Sequence, residues 1–194
     1  MSGHTRRHIV VKADAAIRQK GYNAFRFSDI AEAMSIRNAA IHYYFPSKSS
    51  LGEAVIEDEI RRVEAERIDC QKLTGAFGLQ KLIRVFAAHQ RAGEVCLNGA
   101  LAGEFHTLST AMQEKITKLQ TGILAWVTAM LEKGKAEGSL HFEGEAGDRA
   151  LQFLAILTGS LQLARALGAE AFSRVVNRML KDLGAGWTVE QINN

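Results

Sequence analysis

A single proline in 194 residues, against an ordinary share of about 5%, and glycines that are scattered rather than periodic exclude a collagen repeat, a low-complexity tract and a Pro-punctuated β-sandwich. Two cysteines, Cys70 and Cys96, are too few for a disulfide framework, and no CxxC spacing offers a metal site, so a reducing, cytoplasmic setting is expected. No apolar run of signal-peptide character follows Arg6 and Arg7. The most apolar stretch, residues 153–167, is interrupted by Thr158, Ser160, Gln162 and Arg165, so neither a bilayer span nor a membrane partner is expected. The six histidines fall outside any HExxH, and no GxSxG, phosphate-binding glycine loop or paired-carboxylate setting is present. An enzyme is therefore not expected, nor a cofactor, a metal or a catalytic residue. Strand-helix-strand alternation and sustained period-two patterning are also missing, which removes nucleotide-binding α/β folds.

What remains is 47% hydrophobic and 23% charged, enough for a buried core in a globular chain. Its charge is unevenly shared. Residues 1–48 hold eight basic and three acidic groups, so this short head is +5 while the rest of the chain is −2. A polyanionic partner suits such a head, because each Lys or Arg that meets a phosphate can release a condensed counterion.

Apolar residues recur at helical spacing throughout, which predicts an all-α protein of about nine helices. Ile9, Ala13, Ala16 and Ile17 mark a first helix over 5–20, closed by Gly21. Phe27, Ile30, Ala31 and Met34 give a two-turn second helix with Asp29 in its first turn. Ser35 and Ile36 form a turn, and 38–45 a short third helix ended by Pro46. Ser47 is placed to cap a fourth helix over 48–70. Longer helices are predicted at 78–91, 96–107, 109–137, 145–167 and 169–184.

Helix, tight turn, helix is the outline of a helix-turn-helix reader. Lys20-Gly21-Tyr22, Asp29-Ile30-Ala31 and Tyr43-Tyr44-Phe45-Pro46-Ser47-Lys48, followed by Leu51, together resemble the N-terminal domain of the TetR family of transcriptional regulators. The resemblance covers about residues 5–55. On the third helix Ile36, Ala40, Ile41 and Tyr44 can face the core, while Arg37, Asn38, Ala39, His42 and Tyr43 point outward. Arg can pair with guanine and Asn with adenine, and Ala39 permits close approach to a base edge. Tyr43, Ser47 and Lys48, with Ser28 on the second helix, are the remaining DNA-contact candidates, suited to phosphates. Arg6 and Arg7 are candidates for an arm that reaches the duplex. Arg26 stands where the family favours a small capping residue, and Ser35 where it favours glycine, so the second helix is expected to begin less firmly. Arg37-Asn38-Ala39 replaces the commoner Ser-Lys-Gly, so no operator sequence carries over.

The resemblance further implies a DNA-binding domain at 1–50 and an effector-binding, dimerising domain at 51–194. One recognition helix makes few contacts, and readers of this kind double up on palindromic sites with half-sites about 34–36 Å apart. Leu154, Leu157, Leu161, Phe172, Val176 and Met179 on the last two helices are the candidate homodimer interface. Phe86, His89, Cys96, Leu101, Phe105, Trp126 and Met130 are candidate lining for a small-molecule effector. Cys96 lies in a Cys-Leu stretch similar to that of thiol-responsive members, although Arg91 is the nearest cation in sequence. The expected function is a homodimeric repressor released by a small-molecule or thiol-reactive effector. A helical adaptor without specific DNA binding is the competing reading, and it leaves the basic head unexplained.

Overall fold

Ile9, Ala13 and Ile17 are each at most 1% exposed, so the periodic stripe of the first segment is buried and the segment is helical. The computed structural model describes residues 2–193. Among these it forms α1 (Ser2–Lys20), α2 (Phe27–Met34), α3 (Asn38–Tyr44), α4 (Lys48–Cys70), α5 (Gly75–Arg91), α6 (Leu97–Ala102), a 3-10 turn (Phe105–Thr107), α7 (Thr110–Ala136), α8 (Ala146–Leu167), α9 (Ala169–Asp182) and α10 (Val189–Asn193), with no strand. The all-α expectation is met. The helix predicted over 96–107 is instead α6 plus the 3-10 turn, because the chain turns out of helical geometry at Glu104, with φ −110° and ψ 6°. α10 was not anticipated from the sequence, and α5 starts three residues earlier than predicted, capped by Thr74, whose hydroxyl accepts from the Phe77 amide at 3.2 Å.

The residues pack as two units that are not consecutive in sequence. The first consists of the residues up to Arg62 together with Leu97–Leu119; the second is Val63–Cys96 together with the residues from Gln120 on. In the first unit α4 starts at Lys48 and is capped by Ser47, as predicted. The Ser47 hydroxyl accepts from the Ser50 amide at 3.0 Å, and the Ser50 hydroxyl accepts from the Ser47 amide at 3.2 Å. Gly52 lets α4 approach its neighbours closely: a Cβ there would lie 2.7 Å from the Met112 methyl and 2.9 Å from the Tyr22 ring.

α1 is bound to α4 by a buried guanidinium. Arg18 is 1% exposed; its Nε donates to Asp14 Oδ1 and its Nη2 to Glu59 Oε2, each at 2.8 Å. Arg62 joins the same carboxylates at 3.0 Å and 2.9 Å. Burial by itself pushes the Arg18 guanidinium down, but Glu59 and Asp14 outweigh it and hold its pKa above the ordinary value.

In the second unit α8 and α9 form the most extensive helix pair, and α5 packs on α8, α9 and α10. Gly75 and Gly78 of α5 sit against Met130 of α7, since a Cβ on either would meet Met130 atoms closer than 2.5 Å. Met130 thus packs against α5. Most of the predicted dimer residues are buried within the single chain. Leu157, Leu161, Phe172, Val176 and Met179 are at most 5% exposed within this unit, and only Leu154 is half-buried. The most regular apolar stripe of an amphipathic helix is the one that its own core claims. The outer face of the pair carries Leu151, Leu163 and Leu167, at 56%, 44% and 72% exposure.

α8 also departs from the expectation that no stretch is apolar enough for a bilayer. By length and composition alone it could cross one, with a mean hydropathy of 1.3 over its most apolar window, because its leucines and alanines outweigh Thr158, Ser160 and Gln162. The same composition serves a helix with one face in a protein core and another apolar face outside it.

Replacing Arg18 by alanine removes the buried one of the two cations that Asp14 and Glu59 share, leaving only the half-exposed Arg62 between them. A loss of about 3 kcal/mol or more in unfolding free energy is expected, read from the denaturant midpoint, and a loss below about 1 kcal/mol contradicts the role given to this network.

Candidate nucleic-acid interface

α2 and α3 are too short to hold their shape alone, so their geometry rests on anchors. Ile30, Ile41, Phe25 and Phe45 are each at most 2% exposed and fix the two helices to the core of the first unit. The start of α2 is firmer than Arg26 suggested. Asp29 accepts from the Arg26 amide at 3.1 Å through Oδ2, which supplies half of a capping box from the third helical position. The amide hydrogen bond from Arg26, aided by the charge of Lys20 at 3.6 Å, holds the Asp29 carboxyl below its ordinary range.

The turn between the helices is made by Ser35, whose φ of 53° and ψ of 40° make it the one non-glycine in the left-handed region among the described residues. The Ser35 amide donates to Glu32 O at 3.1 Å and the Ile36 amide to Ala31 O at 3.0 Å, so α2 ends in a Schellman-type closure. A side chain in that conformation costs on the order of 1 kcal/mol relative to glycine, and the anchored helices on either side sustain it.

With Ile41 inward, Arg37, Asn38, Ala39, His42 and Tyr43 are all exposed, as the spacing predicted. Among the described residues the Arg37 and Asn38 side chains make no hydrogen bond or ion pair, so their donors are open to a ligand. The His42 ring lies 4.9 Å from that of Phe27, and Tyr43, 80% exposed, meets Tyr44 edge-on at 5.1 Å. Ser28 is exposed in the first turn of α2. Arg6 and Arg7 sit on α1 rather than on an extended arm, and the Arg6 guanidinium stacks 4.9 Å from the Phe45 ring beside the end of α3.

Two of the predicted contacts have work inside the protein. Ser47 is the α4 cap described above. Lys48 is only half-exposed; its ammonium donates to Asn23 O at 3.1 Å and lies 4.5 Å from the Phe25 centroid and 5.0 Å from that of Tyr22. Burial lowers its pKa, with Glu104 opposing. Asn23 is 25 residues away in sequence, so no local pattern announces this contact.

The seven candidate effector residues are divided. Leu101 and Phe105 belong to the first unit, and Phe86, His89, Cys96, Trp126 and Met130 to the second. None of them lines either of the two cavities described in the second unit. One cavity, of about 460 Å³, follows the outer face of α8 and α9 past Ile156, Leu163, Leu167, Val175, Arg174 and Arg178. The other, of about 250 Å³, is bounded by Gln90, Gly93, Glu94, Leu161, Ala164 and Arg165. His89 Nδ1 and Glu94 Oε2 are 3.0 Å apart, and Arg165 Nη2 donates to Gly93 O at 3.4 Å, a cation the sequence spacing did not reveal. Cys96 is 7% exposed with Sγ 3.8 Å from Thr158 Oγ1, while burial pushes the Cys70 thiol up.

Residues 9–55 match the profile described as bacterial regulatory proteins, tetR family. A TetR-family transcriptional regulator from Agrobacterium tumefaciens superposes with a TM-score of 0.87 and 28% identity over 94% of this chain and 99% of its own. A TetR transcriptional regulator from Legionella pneumophila is 31% identical over 91% of this chain and 95% of its own, with a TM-score of 0.79. The HTH-type transcriptional repressor NemR of Escherichia coli K12 is 24% identical over 165 residues, which are 80% of this chain and 81% of that protein.

The contrast between Lys48 and Tyr43 is measurable by chemical denaturation. Lys48→Ala is expected to lower stability by about 1–2 kcal/mol, since it removes a charged hydrogen bond and two cation–π contacts, whereas Tyr43→Ala should stay within about 0.5 kcal/mol. Equal effects of the two substitutions contradict the assignment.

Proposed function

Because the chain belongs to the TetR family of transcriptional regulators, we propose that it binds a palindromic DNA operator as a homodimer and represses the adjoining genes until an effector releases it. The observation that carries this reading is the outward face of α3, where Arg37 and Asn38 stand with open donors on a helix anchored by Ile41 and Phe45. Arg37 reaches guanine O6 and N7 in the major groove, Asn38 pairs with adenine, and Ala39 allows the backbone close to a thymine methyl. His42 and Tyr43 border that face, and Ser28 and Ser47 supply phosphate contacts that set the register. Lys48 acts by holding the Asn23 turn, and it reaches phosphate only by leaving that carbonyl.

Dimerisation takes the outer face of α8 and α9 rather than the side chains the unit buries for itself. Leu163 and Leu167 with Val175 make it apolar, and Arg174, Arg178 and Asp182 border it with charge, the composition of a subunit interface with a polar rim. The α8 hydropathy is accounted for in this way, and the protein works in the cytoplasm, where its DNA is. Residues 1–50 read DNA, and 51–194 carry the dimer and effector functions.

The effector is a small molecule or a thiol-reactive compound acting on the second unit. Cys96 supports the thiol reading, in a segment that also holds the His89–Glu94 pair and the Arg165 hydrogen bond to Gly93. If it is the reactive group, Cys96→Ser keeps operator affinity and abolishes release by an alkylating agent. Release that persists in this variant removes the thiol-reactive alternative and leaves the small-molecule one.

DNA binding is tested by selecting fragments of the source genome on the purified protein and titrating the winners at two salt concentrations. Specific, steeply salt-dependent binding is expected, and Arg37→Ala or Asn38→Ala should each weaken it about tenfold or more and relax preference at one base pair. A protein that retains no fragment, or variants that bind as the parent does, overturns the reading in favour of a helical adaptor.

A further inference from the structure

The short segment that joins α1 to α2 is held by residues more than 80 positions away. Glu104 Oε2 accepts from the Asn23 amide at 3.0 Å. The other oxygen, Oε1, occupies space beside Gly21, where a Cβ would lie only 2.8 Å from it. Gly21 has a φ of +90°, a conformation that strains any side chain, and a Cβ there would also push the Glu104 carboxylate aside. Thr107 completes the clamp: its hydroxyl accepts from Asn23 Nδ2 at 2.9 Å and donates to Glu104 O at 2.7 Å. Asn23 O in turn takes the Lys48 ammonium. The amide, the carbonyl and the side-chain Nδ2 of Asn23 are therefore engaged, by α4 on one side and by the turn after α6 on the other.

We propose that Glu104, supported by Thr107, is a positioning residue for DNA reading: it fixes the α1–α2 turn and thereby the attitude at which α3 presents Arg37 and Asn38. Six residues separate the end of α1 from the start of α2, and α2 is only eight residues long, so an error at the turn passes undamped to α3. The grouping of Leu97–Leu119 with the N-terminal residues in one packing unit is an independent sign that this corner belongs to the reading head. The inference rests on the DNA-binding reading above, and it makes the corner after α6 the place where a change in the body alters operator choice.

The test uses the full chain, a selected genomic fragment and random-sequence duplex of equal length at one salt concentration. Glu104→Ala is expected to lose about tenfold in affinity for the selected fragment while binding random duplex within about twofold of the parent, since a misaimed reader keeps its charge but not its base contacts. Its unfolding midpoint stays near that of the parent, and exchange of the Asn23 amide proton accelerates. Glu104→Gln retains an acceptor and recovers most of the discrimination. Thr107→Val, which deletes the acceptor for Asn23 Nδ2 and the donor to Glu104 O, loses about threefold on the selected fragment alone. Discrimination equal to the parent in Glu104→Ala, or an equal loss on both duplexes, overturns the proposal by itself. A parent that retains no duplex overturns the DNA-reading assignment and this one with it.

Discussion

A guanidinium removed from water has to be answered by the protein, and the answer given to Arg18 sets the frame on which the reading head is built. Asp14 comes from one turn earlier in α1, and Glu59 from the middle of α4, so the cation can be satisfied only when the two helices lie at one offset. Apolar burial would tolerate small slides between them; the 2.8 Å hydrogen bond from the rigid Arg18 guanidinium to Glu59 and the pairing of Arg62 with Asp14 do not. Arg62 shares both carboxylates and closes the cluster, so no charge is left unbalanced inside it. With α1 and α4 fixed in this way, α2 and α3 can be as short as eight and seven residues and still keep a defined orientation.

The exposed face of α3 follows from that economy. A helix of two turns has one side to anchor it, and Ile41 with the flanking Phe45 takes that side fully. The opposite side is then released from any structural duty, so that arginine, asparagine and histidine can stand there at little cost. Strain is confined to the Ser35 turn, which must reverse direction without a glycine and is closed instead by hydrogen bonds from two successive amides.

Much of this was legible in the sequence, where the information is local. Periodic apolar residues and Pro46 mark α2 and α3; Ser47 marks the start of α4; Gly21 marks the end of α1. The outward set on α3 follows from a 3.6-residue repeat once Ile41 is taken as buried. What was not legible depends on contacts between distant segments. Lys48 reads as a free surface cation until Asn23 and Phe25 are brought beside it, and Glu104 carries no local mark of its partnership with Gly21 and Asn23. The interface candidates on α8 and α9 turn on the same distinction. Leu157, Phe172 and Val176 form the strongest periodic stripe, and periodicity does not say whether a stripe faces the same chain or another. Met130 reads as pocket lining because methionine suits irregular space, but Gly75 and Gly78 on α5 have already been fitted around it.

The Gly52 contact bears on how this protein can be rebuilt. Cutting the chain after α4 to isolate a minimal reader would strip Met112 from a surface shaped to receive it, the one around Gly52. Such a fragment would be sticky and poorly ordered. A chimera that transplants this head onto a foreign body must therefore carry residues 97–119 as well, or redesign the face of α4 that they shelter.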